Sequence, residues 1–272
     1  MVMNRNMSVL LVGGGRMGCA LLEGWHTYGL ATDRLWVVEP DTGARCRMEM
    51  SRVVSSAIDL PLDLQPNVVV FAVKPQNMET IVTDYQRFAN DSVFLSIVAG
   101  KSIAWFTNSL GSTATVVRAM PNLPAAVRRG VTVACGNAAL DADGHALCTS
   151  LLEAVGAVVW IEEERLLDAV TAVSGSGPAY VFLLAESLAR AGQAVGLPAS
   201  LAERLAHLTV TGAGELLYHS VDSTATLRQK VTSPGGTTAA ALAVLMDPQN
   251  GLEWMLTRAV AAATARSREL SL

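Results

Sequence analysis

The stretch that decides the fold is residues 9–18, Val9-Leu10-Leu11-Val12-Gly13-Gly14-Gly15-Arg16-Met17-Gly18. An apolar run with the length of a buried strand enters a glycine-rich turn, and Leu21, Leu22 and Trp25 then recur at helical spacing. The first, third and sixth residues of the turn are the glycines of the G-x-G-x-x-G fingerprint. They allow a tight turn, close approach of the backbone to a pyrophosphate, and packing of helix on strand. The stretch therefore predicts a β-α-β unit that binds a dinucleotide through residues 13–18.

Glu39 bears on which dinucleotide is bound. It follows the second predicted strand, 21 residues after Gly18. A carboxylate there can accept a hydrogen bond from the ribose 2′-hydroxyl of NAD, and it would repel the 2′-phosphate of NADP. Arg16, Arg45 and Arg47 could offset this repulsion if one of them reached over the ribose. The sequence leaves NADH and NADPH both open and favours NADH on that single carboxylate.

Short β-branched runs continue through the first half of the chain and alternate with amphipathic segments, which is typical of a parallel sheet covered by helices. The predicted strands are residues 9–12, 35–38, 68–73, 93–98, 115–119, 131–134 and 157–161. Ligands of such sheets bind outside the carboxyl ends of the strands. We therefore expect the loops Ala72-Val73-Lys74-Pro75 and Ala99-Gly100 at the cofactor, with a plain surface lysine as the alternative for Lys74.

The second half of the chain has Ala, Leu and Glu at helical spacing. The predicted helices are residues 166–173, 178–195, 198–219, 223–231, 237–246 and 251–269. The sequence thus predicts an α/β protein with a Rossmann-type parallel-sheet domain over residues 1–162 and an all-α domain over 163–272. The helices have more apolar surface than one small domain can bury, which predicts a subunit interface.

Composition excludes several classes of function. A net charge of −4 on 272 residues gives no footprint for nucleic acid or an anionic membrane. Residues 169–185, the longest uncharged run, are interrupted by glycine and proline and are predicted to be buried helix and loop rather than a membrane span. No signal peptide is visible, and the four scattered cysteines fit reduced thiols, so we expect a cytoplasmic protein. The four histidines lack metal-ligand spacing, so no metal is expected.

Three further segments identify a family: residues 118–124 (RAMPNLP), 174–180 (SGSGPAY) and 231–238 (VTSPGGTT). In this order, after the glycine turn and the A-V-K-P loop, they resemble pyrroline-5-carboxylate reductase from about residue 8 to 270. The resemblance implies an NAD(P)H-dependent enzyme that reduces pyrroline-5-carboxylate to proline. It also implies a homodimer whose helical domains interlock, with rings of dimers in many members.

The resemblance also assigns roles to single residues. It implies that Asn122 contributes to the cofactor site, and that Ser176 lines the pocket near the nicotinamide, between the domains. Glu164 matches a position that approaches the substrate, with a solvated glutamate of an E-E-E run as the alternative. The chain departs from the family at Arg16, Glu39 and Lys101, which bears on the nucleotide rather than the reaction.

Ser233-Pro234-Gly235-Gly236-Thr237-Thr238 suits a cyclic imino acid. It is predicted to be a loop entering a helix, where backbone N–H groups and the helix dipole attract a carboxylate. Thr237 and Thr238 then lie in the first turn, with hydroxyls able to reach the carboxylate and the ring nitrogen. No dedicated general acid stands out, and a protonated imine is already electrophilic, so Thr238 is the candidate that hydrogen-bonds the nitrogen. The alternative for both threonines is capping of the helix.

Two other functions remain as alternatives. A hydroxy-acid dehydrogenase with the same domain plan would need a Lys or His general base, and Ser174-Gly175-Ser176-Gly177 stands at the expected position. A nucleotide sensor without turnover would have no use for the S-P-G-G-T-T segment.

Overall fold

The computed structural model describes residues 7–45 and 52–270. Its backbone contacts divide the chain into two compact units. One comprises the chain up to Gly175 together with the segment from Thr264 onward, and the other is Ser176–Ala263. The composition boundary after residue 162 marks the end of the strands, whereas the contacts place the following segment, up to Gly175, with the sheet.

The first unit contains a single sheet, which has eight strands among the described residues. The strands are β1 Val9–Val12, β2 Leu35–Val38, β3 Arg52–Val54, β4 Val68–Phe71, β5 Val93–Ser96, β6 Thr115–Met120, β7 Gly130–Gly136 and β8 Gly156–Trp160. Their order is β3-β2-β1-β4-β5-β6-β7-β8. All seven predicted strands are confirmed. The three-residue edge strand β3 was not predicted.

The predicted parallel sheet is confirmed, with one exception that was not predicted: β6 and β7 are antiparallel. The connection between them, residues 121–129, contains only the short 3₁₀ helix Leu123–Val127. A parallel crossover needs a dozen or more residues, so this link is too short to return the chain to the opposite end of the sheet. Every other neighbouring pair is parallel.

Helices cover both faces of the sheet. Those of the first unit are α1 Arg16–Thr27, α2 Thr42–Arg45, α3 Pro75–Ile81, α4 Ile103–Leu110, α5 Ala142–Glu153 and α6 Leu167–Val170. As predicted, Leu21, Leu22 and Trp25 of α1 are buried in the core on one face, where the Trp25 indole N–H donates to the Leu151 carbonyl at 2.9 Å. On the other face, Phe71 lies within 6 Å of three aromatic rings, those of Tyr85, Phe94 and Phe106. Burial of these side chains fixes the carboxyl ends of the strands.

The remaining helices are α7 Gly177–Ala194, α8 Ala199–His219, α9 Thr224–Lys230, α10 Thr237–Leu245 and α11 Leu252–Leu270. These bounds agree with the predicted ones to within two residues. Pro178 lies in the first turn of α7, where proline is favoured, and Pro198 is the N-cap of α8. Gly196 ends α7 with a φ of +102°, a conformation that favours glycine.

Candidate active site

The glycine turn after β1 has the geometry that the fingerprint requires. Gly13 has a φ of +101°, and a Cβ there would lie 2.7 Å from Val73 Cγ1. A Cβ on Gly18 would lie 2.3 Å from the Gly13 carbonyl oxygen, so α1 could not pack so closely on the turn. Gly15, the N-cap of α1, has nothing within 4 Å of its Cβ position. Open space at a helix N-terminus is where a pyrophosphate can approach the backbone, so this turn fits a dinucleotide.

The topology brings the other predicted cofactor loops to the same edge. β1 lies between β2 and β4, so the strand order reverses beside the glycine turn, which is where α/β sheets bind nucleotides. The Gly13 amide donates to the Val38 carbonyl at 2.9 Å, and the Ala72 amide donates to the Val12 carbonyl at 2.8 Å. The ends of β1, β2 and β4 are thus hydrogen-bonded to one another.

Glu39 contacts this turn directly. Its Oε2 accepts a 2.5 Å hydrogen bond from the Gly14 amide, and its Oε1 accepts one of 2.9 Å from the Asp41 amide. The residue is buried, so both bonds form in a medium that strengthens them. Glu39 therefore supports the glycine turn within the chain, a role that the sequence pattern did not indicate.

Of the three candidate arginines, only Arg16 lies wholly within the described residues. Arg16 is the exposed first residue of α1. The backbone of Arg45 belongs to α2, but its side chain lies outside the described part of the structure, as does all of Arg47.

The other two cofactor loops follow β4 and β5. Lys74 is the exposed N-cap of α3, and Pro75 is in the first turn of that helix. Ala99 is exposed, and Gly100 has a φ of +74°. Lys101 donates a 2.7 Å hydrogen bond to Glu79 of α3, which lowers the pKa of that carboxyl, and its ammonium lies 4.7 Å from the centre of the Trp105 ring. Lys101 thus links the loop after β5 to the helix after β4.

Glu164 is not a solvated glutamate. Its Oε1 accepts hydrogen bonds from Arg118 Nη1 at 2.8 Å and from the amide of Ile103, the first residue of α4, at 2.9 Å. The Arg118 side chain is 8% exposed and that of Glu164 27%. The alternative that Glu164 is a solvated surface residue is therefore wrong. Sequence reasoning did not propose a role for Arg118, although a charged residue inside an apolar strand could have signalled a buried partner.

Both polar atoms of the Asn122 side-chain amide are hydrogen-bonded. Its Nδ2 donates to the Ser174 carbonyl at 3.1 Å, and its Oδ1 accepts from the Val131 amide at 2.9 Å. The carbonyl it binds belongs to a π-helical turn, Thr171–Gly175. Ser176, the next residue along the chain, is the half-buried N-cap of α7. Among the described residues, a Cβ on Gly177 would meet nothing within 4 Å.

The S-P-G-G-T-T segment forms the predicted loop into a helix. Gly235 has a φ of +69°, and Gly236 is the N-cap of α10 without any side-chain capping bond. Thr237 and Thr238 are therefore the first two residues of the helix, beyond the N-cap position. Neither hydroxyl has a hydrogen-bond partner within the described residues. The capping alternative for these threonines is wrong, and both hydroxyls are available to a ligand.

The described residues contain no group of three or more His, Cys, Asp or Glu side chains that could hold a metal ion. One segment of the described chain, Glu164–Ala194, has the length and apolar composition of a membrane span. Only 11% of its apolar window is buried within the chain. The prediction that residues 169–185 are buried is therefore wrong for the single chain, in which Ala172 is the one buried residue of this run.

The chain is similar to known proteins along nearly its whole length. Residues 164–270 match the family described as pyrroline-5-carboxylate reductase dimerisation, and residues 8–100 match NADP oxidoreductase coenzyme F420-dependent. Pyrroline-5-carboxylate reductase from Mycobacterium tuberculosis (strain ATCC 25618 / H37Rv) is 40% identical, over 97% of each chain.

Two solved structures are similar over nearly the full length. A pyrroline-5-carboxylate reductase from Coxiella burnetii is 32% identical with a TM-score of 0.92, covering 99% of this chain and 100% of that one. Plasmodium falciparum pyrroline carboxylate reductase with NADP bound is 28% identical with a TM-score of 0.83, covering 98% and 99%. The chain belongs to the pyrroline-5-carboxylate reductase family.

Proposed function

We propose that this chain reduces 1-pyrroline-5-carboxylate to L-proline by hydride transfer from NAD(P)H to the C=N bond, the last step of proline biosynthesis. The observation that carries the proposal is the N-terminus of α10, where a glycine turn with open space at Gly235 is followed by two threonines whose hydroxyls have no partner among the described residues. Full-length similarity to reductases of this substrate supports it. A hydroxy-acid dehydrogenase or a nucleotide sensor has no matching use for this segment.

The residues at α10 suit the two polar groups of the substrate. The first amides of a helix have no partner within it, so those at α10 can donate to the substrate carboxylate. Gly235 and Gly236 keep side chains away from that approach, and Ser233 and Thr237 supply hydroxyls beside it. The hydroxyl of Thr238 can then hydrogen-bond the ring nitrogen. Binding the iminium form in a fixed orientation lowers the barrier without a separate general acid.

The nucleotide would be held by residues 13–18, by the A-V-K-P loop and by Ala99-Gly100. When bound, the nicotinamide supplies the hydride. The open N-terminus of α1 is suited to the pyrophosphate. Glu39 directly follows β2, and it is proposed to lie beside the adenosine ribose. Because Glu39 is buried and negatively charged, it opposes a 2′-phosphate, so NADH is the proposed preferred nucleotide over NADPH.

The chain forms a homo-oligomer through its dimerisation region, and we propose a dimer that can assemble further into rings. A cytoplasmic protein without nucleic-acid or membrane partners is proposed from its net charge of −4 and from its four scattered cysteines, which fit reduced thiols. The same proposal includes the site residues named here, Ser176 and Glu164 among them. It also includes a division into two domains between residues 162 and 163.

Initial rates test the function. Purified protein is incubated with pyrroline-5-carboxylate and either NADH or NADPH, and proline is measured alongside nucleotide oxidation. We expect turnover with both nucleotides, with a higher kcat/KM for NADH than for NADPH. Neither nucleotide should be oxidised without the imino acid. Folded protein that oxidises neither nucleotide would refute the proposal, and a six-membered cyclic imino acid in parallel would define ring-size selectivity.

A further inference from the structure

We propose that Arg118 and Asn122 are positioning residues, which hold the segment Glu164–Gly175 at both ends and thereby fix the Ser174-Gly175 turn for hydride transfer. The inference rests on the proposed function. It differs from the sequence prediction for Asn122, because it has this side chain act through Ser174 rather than on the nucleotide.

Both contacts originate at the end of one strand. Arg118 lies in β6 and Asn122 lies two residues beyond it, so both attachment points are at the carboxyl end of a mostly buried strand. Arg118 binds Glu164, the first residue of the segment, and Asn122 binds the carbonyl of Ser174, the residue before its last. The segment is therefore tied to β6 at two points ten residues apart in the chain.

Each contact residue is itself held in one orientation. Oδ1 of Asn122 accepts from the Val131 amide of β7, so its Nδ2 is aimed at Ser174. Glu164 also accepts from the Ile103 amide, which ties it to α4. Within the described residues, the buried Nε of Arg118 has no hydrogen-bond partner. A buried guanidinium with an unsatisfied donor is destabilising by itself, which favours a role that depends on its position.

The segment needs such support because its own helical structure is irregular. Within 12 residues it passes from a 3₁₀ helix, Glu164–Leu166, through α6 to the π-helical turn Thr171–Gly175. π-helical turns are rare, are less regular than α-helix, and occur frequently at functional sites. The Ser174 carbonyl obtains its hydrogen bond from Asn122, outside the segment. Loss of that bond frees the turn that leads into Ser176.

The experiment uses the near-isosteric variant Asn122→Asp in the full-length enzyme. The introduced carboxylate can still accept from the Val131 amide, but it has no N–H for the Ser174 carbonyl. Ser92→Ala is the matched control, since it removes another buried hydrogen bond, from Ser92 Oγ to the Pro66 carbonyl at the amino end of β5. We measure kcat, the Kd of NADH by quenching of tryptophan fluorescence, the Tm, and the isotope effect with NADH deuterated at C4.

We expect Asn122→Asp to lower kcat by roughly tenfold or more, because a small misplacement of reacting groups slows the chemical step. The Kd of NADH should stay within about twofold of wild type, and the isotope effect on kcat should be at least as large as in wild type. Ser92→Ala should lower the Tm and leave kcat and the isotope effect unchanged.

Two results would overturn the inference. A weaker Kd for NADH with unchanged kcat would show that Asn122 binds the nucleotide directly, and wild-type kinetics with only a lower Tm would assign it to the scaffold. Both require an active wild-type enzyme. An inactive wild type would instead refute the proposed function, so the two failures are distinguishable.

Discussion

Glu39 Oε2 accepts a 2.5 Å hydrogen bond from the amide of Gly14, in the middle of the glycine turn. Its second oxygen accepts from the Asp41 amide, so one buried carboxylate joins the loop after β2 to the turn after β1. Hydrogen bonds to charged groups are about twice as strong as neutral ones. The residue that we propose to oppose a 2′-phosphate therefore also supports the backbone of the glycine turn.

This double role makes Glu39→Gln a sharper probe of nucleotide choice than a smaller residue. Glutamine keeps the size and one acceptor oxygen, and it removes the charge. The ratio of kcat/KM for NADPH to that for NADH should rise about fivefold, equivalent to ~1 kcal/mol of lost repulsion.

Glu39→Ser is the control, because it removes both contacts with the turn. It should shift the ratio in the same direction while weakening both nucleotides. An unchanged ratio in Glu39→Gln would show that arginines or contacts elsewhere decide the preference.

A second prediction concerns the ion pair of Glu164 with Arg118. Glu164→Gln leaves a buried guanidinium without its counter-charge and should lower the free energy of unfolding by about 2 kcal/mol. The neighbouring glutamate provides the control, since Glu163 pairs with Arg165 on the surface, with both side chains more than half exposed. Glu163→Gln should change stability by less than about 0.5 kcal/mol. Urea denaturation measures both, and equal effects would contradict the buried pair.

Much of the fold could be predicted because hydrophobic periodicity records burial directly. β1 and β2 have the predicted bounds, and the helices from Gly177 onward lie within two residues of prediction. Hydrophobic periodicity does not indicate strand direction, so the antiparallel pairing of β6 with β7 was missed. The length of the link from 121 to 129 could have indicated it, because nine residues are too few for a parallel crossover. β3 is three residues long and partly exposed, which leaves too short a pattern to detect.

The local backbone around the candidate site residues was predictable, whereas their long-range contacts were not. The glycine turn and the loop at Thr238 form as expected, because glycines and helix starts are local signals. The partners of Glu39, Glu164 and Asn122 lie 25, 46 and 52 residues away in sequence. Pairings at such distances depend on the packed sheet, so one sequence could suggest these residues without revealing what they bind.

Apolar side chains that remain exposed in the helical unit predict where the subunits meet. Phe182 of α7 is 55% exposed, beside Val181 and Leu183. Phe182→Asp should convert the homo-oligomer to smaller species in light scattering at micromolar concentration, because a charge replaces buried apolar surface. Leu62→Asp tests a residue of the sheet unit that is 95% exposed and should leave the assembly intact. An unchanged mass for Phe182→Asp would exclude this part of α7 from the interface.

Burial also predicts the reactivity of the thiols. Burial raises the pKa of Cys148 to about 12 and raises that of Cys135, where Glu164 adds to the effect and Arg118 opposes it. A raised pKa leaves almost no thiolate at pH 8, so N-ethylmaleimide should spare both cysteines in the folded protein. Half-buried Cys19 should react sooner. Peptide mapping by mass spectrometry measures each site, and early labelling of Cys148 would contradict its burial.

Thr238 is the residue whose role the structure makes easiest to test. As the second residue of α10, behind the cap residue Gly236, it makes no capping bond whose loss could obscure the kinetics. Thr238→Ala should therefore leave the free energy of unfolding within about 0.5 kcal/mol of wild type. If the hydroxyl binds the ring nitrogen as the hydride arrives, kcat/KM should fall roughly tenfold or more, since a hydrogen bond to a charged group is worth about 1.5 to 3 kcal/mol.

Two further variants separate this hydrogen bond from a general disturbance of the loop. Thr238→Ser keeps the hydroxyl and should retain most of the activity that the alanine variant loses. Thr237→Ala removes the neighbouring hydroxyl, which is proposed to bind the carboxylate, and should raise KM for the imino acid more than it lowers kcat. Wild-type kinetics in Thr238→Ala would leave protonation of the nitrogen to substrate and solvent. The site would then act by holding the carboxylate alone, with the backbone amides of α10 as its principal donors.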